Sequence, residues 1–300
     1  MAYRGIGQSP ESPVTGTAAW LSSICAILSK DPWYGPIIND PFAIHFAAGI
    51  SDQAPALLAE YDDPAKRQAI IDEREAEHAG SFTVVCYRKP EMQRQVREAL
   101  AATGARQLVV MGAGCDTLAL RLAAEGIRPR IFEIDRPSVT DYRAKVFKSV
   151  PVATDHITEV GVDFDHQVFG QLLIEAGYDP TQKAVFFAEG LLGYVSAEGV
   201  DDIFRFIKEK SAPGSRFVFS FTESRRADAA KRVKSSDTLD KQGEPPVFDL
   251  PSTEAKAFVE ARGYRMCELL TAADLKEIYK SRHDGRIFIL PFLNLAVAET

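Results

Sequence analysis

The stretch Gln107–Thr117, QLVVMGAGCDT, constrains this chain more than any other. Leu108, Val109, Val110 and Met111 form a continuous apolar run, the pattern of a short parallel strand covered on both faces. Gly112-Ala113-Gly114 follows at once, and its missing side chains let the backbone turn tightly and approach a ligand. Leu118, Leu120, Leu122 and Ala123 then give Cys115–Ala124 the content of a helix that returns onto the sheet. Strand, glycine turn and helix make half of a Rossmann-like unit.

The turn does not by itself name its ligand. A dinucleotide fingerprint wants a third glycine or alanine three positions after the second, and that position holds Thr117. The next strand says more. Arg130-Ile131-Phe132-Glu133-Ile134-Asp135 is largely apolar and ends in an acid, where a carboxylate accepts hydrogen bonds from both ribose hydroxyls. This geometry serves NAD and S-adenosylmethionine equally. The other role open to Asp135 is a helix cap before Arg136-Pro137-Ser138.

Composition narrows the class. A net charge of −7 and a pI near 5.4 argue against a surface that tracks phosphates, so nucleic acid is not expected as a partner. The four cysteines, Cys25, Cys86, Cys115 and Cys267, are far apart with no CxxC, against a metal site or a disulfide framework. No run reaches the roughly 18 apolar residues of a membrane span. Ser22 and Ser23 interrupt Ala18–Leu28, which no basic region precedes, so a cytoplasmic protein without a signal segment is expected.

Along the chain, helical patterns cover Thr17–Ser29, with Thr15 or Thr17 as caps, then a short helix opened by Asp40-Pro41-Phe42-Ala43, then Ala65–His78 and Glu91–Leu100. Trp20, Trp33, Tyr34, Phe42 and Phe46 crowd the first part, as core or as the roof of a pocket. After Asp135, strands at His156–Val162, Lys183–Ala188, Arg216–Phe221, Tyr264–Leu270 and Ile287–Val297 alternate with helices. Those helices lie at Val139–Val150, Asp165–Ala176, Ala197–Lys210, Ser252–Arg262 and Ala272–Lys280. Such alternation predicts an α/β fold with a seven-stranded, mostly parallel sheet, helices on both faces and an antiparallel seventh strand. Glu223–Gly243 is polar and follows a strand's carboxyl end, the place for a solvated segment or a lid.

Four stretches together resemble the leucine carboxyl methyltransferase family, class I S-adenosylmethionine-dependent enzymes that include bacterial polyketide carboxyl O-methyltransferases. Thr17-Ala18-Ala19-Trp20 with Asp40-Pro41-Phe42-Ala43 is similar to the family's N-terminal segment, and Val110–Arg121 to its first motif. Phe132–Pro137 resembles the second motif, and Glu189-Gly190-Leu191-Leu192-Gly193-Tyr194 resembles the EGLL-x-Y signature, the most specific of the four. The resemblance implies one methyltransferase domain over 1–300, with an N-terminal helical cap at 1–80 and a lid insertion at 223–250.

It also implies roles for particular residues. Gly112, Ala113 and Gly114 would carry the methionine part of S-adenosyl-L-methionine, and Asp135 the ribose. Asp163 would accept the adenine amino group with Phe164 beside the ring, and Glu189 would meet the cofactor ammonium. In the family an Arg some twenty residues before the first motif takes the cofactor carboxylate by a forked contact, and Arg88 falls at that distance. Two departures stand out: Lys89-Pro90-Glu91 follows Arg88, and Ile24-Cys25-Ala26 replaces a basic residue common in relatives. Tyr194 is the candidate catalytic residue, orienting the acceptor, and Arg225 and Arg226 are candidates to hold a substrate carboxylate. No His-Asp or Lys-Asp pair near a strand end must be a base, the five histidines are scattered, and no metal is implied. The function expected is O-methylation of a carboxylate of a small, partly apolar, polyketide-like metabolite. A phenolic acceptor, an NAD-dependent oxidoreductase and a non-catalytic nucleoside-binding protein are the alternatives.

Overall fold

A computed structural model of the chain describes residues 14, 16–77, 79–162, 169–223, 247–282 and 286–300. In chain order the described helices begin with α1 (Gly16–Ser29), α2 (Gly35–Ile38), α3 (Ala43–Gly49), α4 (Ala54–Ala59), α5 (Pro64–Glu77) and α6 (Val84–Thr103). After these come α7 (Leu118–Ala124), α8 (Pro137–Phe147), α9 (Phe169–Glu175), α10 (Ala197–Glu209), α11 (Ala255–Glu260) and α12 (Ala272–Arg282). The strands are β1 (Gln107–Met111), β2 (Arg130–Asp135), β3 (Ile157–Gly161), β4 (Ala184–Ala188), β5 (Arg216–Thr222), β6 (Arg265–Leu270) and β7 (Leu293–Glu299). They form one seven-stranded sheet in the order β3-β2-β1-β4-β5-β7-β6. The pairs β2–β3, β1–β4 and β4–β5 are parallel, while β7 runs antiparallel to both β5 and β6. This is the α/β, Rossmann-like architecture that the alternating pattern predicts.

Among the boundaries that differ from the sequence reading, three have a physical reason in the local sequence or packing. The closing strand starts at Leu293 rather than Ile287. Pro291 has no N–H to give a ladder, so regular pairing begins after it. The helix read as Glu91–Leu100 begins at Val84 and runs through Pro90. Proline removes the bond that would reach the Cys86 carbonyl, yet burial of Val84, Val85, Tyr87, Met92 and Val96 outweighs local propensity. The helix after the glycine turn starts at Leu118, because Cys115 to Thr117 still belong to the turn.

The chain divides into two compact units, 1–77 with 112–176, and 78–111 with 177–300. In the first, Asp40 organises the start of α3: its Oδ1 accepts from the N–H groups of Phe42 (3.2 Å) and Ala43 (3.1 Å). Its Oδ2 accepts from the Thr117 hydroxyl at 2.7 Å, within the core. Thr117, the position a dinucleotide fingerprint gives to glycine, therefore serves a buried polar bridge. Of the aromatics crowded near the N-terminus, Phe42 and Phe46 are buried core, while Trp20, Trp33 and Tyr34 are partly exposed. In the second unit every residue of β1 and β4 is buried, as strands covered on both faces require. Phe204 of α10 meets Phe217, Phe219 and Tyr264 edge-on at 5.2, 5.6 and 5.2 Å. Among the described residues, no helix is long and apolar enough to cross a membrane.

Candidate functional site

The glycine turn belongs to the first unit. Gly112 and Ala113 donate their N–H groups to the Ile134 carbonyl at 2.9 and 3.1 Å, which stitches the turn to the end of β2. Gly112 and Gly114 have φ of 66° and 49°, a conformation in which side chains are strained. A Cβ on Gly114 would also stand 3.3 Å from that of Ala18. The Asp135 carboxylate closes the arrangement: Oδ2 accepts from the Gly114 N–H and Oδ1 from the Arg136 N–H, both at 2.7 Å. Neither bond goes to the first turn of α8, so Asp135 braces the glycine turn instead of capping that helix. A carboxylate oxygen has two acceptor positions, so each oxygen of this half-exposed group can take one further donor. A cis-diol supplies two such donors, and the turn leaves backbone rather than side chains at the surface, so these residues fit a nucleoside cofactor. Val162 donates its N–H to the Asp135 carbonyl at 2.9 Å. Asp163 and Phe164 lie outside the described residues.

The second cluster belongs to the other unit. Glu189 ends β4, and α6 carries Arg88 and Lys89. Arg88 Nε donates to Glu189 Oε1 at 2.7 Å, and Lys89 Nζ stands 3.5 Å from the same oxygen. The side chains are 11%, 8% and 7% exposed for Arg88, Lys89 and Glu189, so this is a buried ion cluster. Burial alone would lower the Arg88 pKa; the charge and hydrogen bond of Glu189 outweigh it and raise it. Glu189 is thus a buried carboxylate with two cations to compensate it. Lys89 is the partner that sequence reading missed; its place beside Arg88, on a helix thought to begin later, was the available signal. Gly190 follows with φ of 66° and donates its N–H to Ser220 Oγ at 2.8 Å. Tyr194 closes a 3₁₀ turn, is 37% exposed and lies within electrostatic reach of Arg88. The Gly193 carbonyl accepts from Val247 and Phe248 at 2.6 and 3.2 Å. Arg225, Arg226 and most of the 223–250 segment lie outside the described residues.

Comparison with known proteins connects both clusters to one family. The family model for leucine carboxyl methyltransferase matches residues 18–208, a span that includes the glycine turn, Asp135, Arg88, Lys89, Glu189 and Tyr194. The chain belongs to the leucine carboxyl methyltransferase family. Its cofactor is S-adenosyl-L-methionine, and its activity is methyl transfer.

Relatives agree with this membership. A Mycolicibacterium smegmatis protein, named as a candidate S-adenosyl-L-methionine-dependent methyltransferase, is 28% identical over 265 residues, covering 85% of this chain and 84% of its own. A Mycobacterium bovis protein of the same description is 36% identical over 140 residues, 45% of this chain and 44% of its own length. Among solved structures, a DUF574 family protein from Streptomyces avermitilis superposes with a TM-score of 0.60 at 17% identity, over 91% of this chain and 99% of that one. A candidate methyltransferase from Thermobifida fusca gives 0.52 at 14% identity, over 78% and 88%. At such identities these two structures speak for the fold. The methyltransferase described here shares with them the α/β core on which its glycine turn is built.

Proposed function

We propose that this methyltransferase is an O-methyltransferase acting on the carboxylate of a small, partly apolar metabolite. The observation that carries the cofactor part of the proposal is Asp135, which braces the glycine turn at Gly114 while keeping acceptor positions for two hydroxyls. In this reading Asp135 holds the ribose, and Gly112, Ala113 and Gly114 let the methionine chain lie against backbone. Asp163 and Phe164 are assigned to the adenine. Glu189 takes the cofactor ammonium, through Oε2 because its hydrogen bond and ion pair use Oε1. Arg88 donates through Nε to Glu189, so its two Nη groups remain the forked face for the cofactor carboxylate.

When bound, S-adenosyl-L-methionine supplies an electrophilic sulfonium methyl. An acceptor carboxylate, with a pKa near 4, is ionised at neutral pH, so the chain need not remove a proton from it. The work left to the protein is to align the acceptor and exclude water, which contributes several kcal/mol through proximity. Tyr194 is assigned to orienting the acceptor. The family's description, a carboxyl methyltransferase, supports the choice of a carboxylate over a phenol.

The test uses the enzyme with cofactor carrying an isotopically labelled methyl and a panel of aliphatic acids, aromatic acids and phenols. A methyl ester releases labelled methanol in mild alkali, whereas an aryl ether does not. Label that appears only in alkali-stable products would exclude the carboxylate acceptor.

A further inference from the structure

We propose that Arg143 is a positioning residue for the cofactor, because it ties the carbonyls of the glycine turn to two glutamates of the sheet and so fixes the surface on which the cofactor rests. The inference builds on the assignment of that turn and Asp135 to cofactor binding.

The Arg143 side chain is fully buried on α8. Its Nη1 donates to the carbonyls of Gly114 and Asp116, each at 2.9 Å, and lies 3.4 Å from that of Ala113. Nη2 donates to Glu133 Oε2, and Nε donates to Glu159 Oε1 at 3.1 Å. Phe46 and Phe147 lie 5.2 and 5.3 Å from the guanidinium carbon. Gly114 is consequently held from both sides: Asp135 takes its N–H, and Arg143 takes its carbonyl. Lysine carries the charge but lacks the planar fork, so it would not engage the turn and both glutamates together.

The charges around Arg143 add a second feature. Glu133 and Glu159 face each other across the β2–β3 register. Glu133 Oε1 and Glu159 Oε2 are buried and have no hydrogen-bond donor among the described residues. A proton on Glu159 supplies a donor there and removes one of the negative charges around the single guanidinium. Burial pushes Glu159 up to about 9; Arg143 opposes the shift and Glu133 adds to it. Among the described residues, the charged groups facing Glu159 from the elements packed on β3 are Glu133 of β2 and Arg143 of α8. Asp116 stands near the guanidinium from the turn, itself 3.9 Å from Arg121. The proton therefore stays through neutral pH and leaves in alkali. Its loss adds charge where the turn is anchored.

The experiment is calorimetric titration of S-adenosylhomocysteine, the demethylated cofactor, into wild-type protein, R143K, E159Q and D135A, between pH 7 and pH 10. R143K should weaken binding about tenfold or more, the equivalent of one lost charged hydrogen bond. Wild-type affinity should fall above pH 9 more steeply than that of E159Q, which keeps a permanent donor; titration of the ligand's own amino group is common to both. Wild-type affinity in R143K, or identical pH profiles for wild type and E159Q, would overturn the proposal. If R143K does not fold, the comparison of those two profiles decides alone. If D135A binds as wild type does, the cofactor assignment of the turn fails first, a result distinct from an unaffected R143K.

Discussion

Asp135 receives two backbone hydrogen bonds, and both come from residues that a ligand of the turn would lie beside. Replacing it with alanine removes the proposed ribose acceptor, and we expect S-adenosylhomocysteine binding to weaken by roughly 10- to 100-fold while the far-ultraviolet spectrum stays native. Unchanged affinity would mean that the ribose lies elsewhere. Glu159 allows a prediction on stability. Its folded pKa is raised above the ordinary value of 4.5 to about 9, so the folded state holds a proton that the unfolded chain releases. The contribution is complete below pH 4.5 and drains away as pH rises towards 9. The melting temperature of E159Q relative to wild type should therefore climb across this window, on the order of 1–2 °C per pH unit. A constant difference would mean that Glu159 is ionised throughout. Asp135 stood out in the sequence as a candidate because an acid that closes an apolar strand is a local pattern; its bond to the Gly114 N–H appears only in the fold. Arg143 was not, although Glu133 in the middle of RIFEID carried a signal. An acid among buried apolar neighbours needs a cation, and only the fold shows which one.

Elements were legible where one pattern dominates, the unbroken apolar runs of β1 and β4 and the Val200, Ile203, Phe204 and Ile207 stripe of α10, and blurred where tertiary packing overrides a local breaker. Pro90 is the clearest case. Read locally, it separates Arg88 from the helix that follows; in the structure it lies inside α6, and Arg88 is carried by the helix to Glu189. The same lesson applies to Asp40-Pro41-Phe42-Ala43. Its helix-opening role was readable, since aspartate before a helix satisfies N–H groups. Its hydrogen bond to Thr117 was not, because those residues are far apart in the chain. D40A should destabilise the protein by about 2–4 kcal/mol, since it removes the acceptor of the Phe42 and Ala43 N–H groups and that of the buried Thr117 hydroxyl proton. Chemical denaturation checks this. A loss below about 1 kcal/mol would show that the bridge contributes little beyond surface capping.

For the whole molecule, strand order shows the α/β fold and family membership shows methyl transfer. The parallel strands β1 and β4 are neighbours; the glycine turn follows the first in sequence and Glu189 the second. Ligands of open α/β sheets bind beyond the carboxyl ends of such strands. This much follows from the alternating pattern and the short motifs. The acceptor does not, because no comparable periodicity marks the residues that would contact it, and the Arg225-Arg226 pair falls outside the described residues. The most direct test of the account is the crystal structure of the complex with S-adenosylhomocysteine. We predict both ribose hydroxyls on the Asp135 carboxylate, the ligand ammonium on Glu189 and its carboxylate on Arg88. A ligand whose ribose hydroxyls find partners other than Asp135, with Glu189 still closed on Arg88 and Lys89 alone, would contradict it.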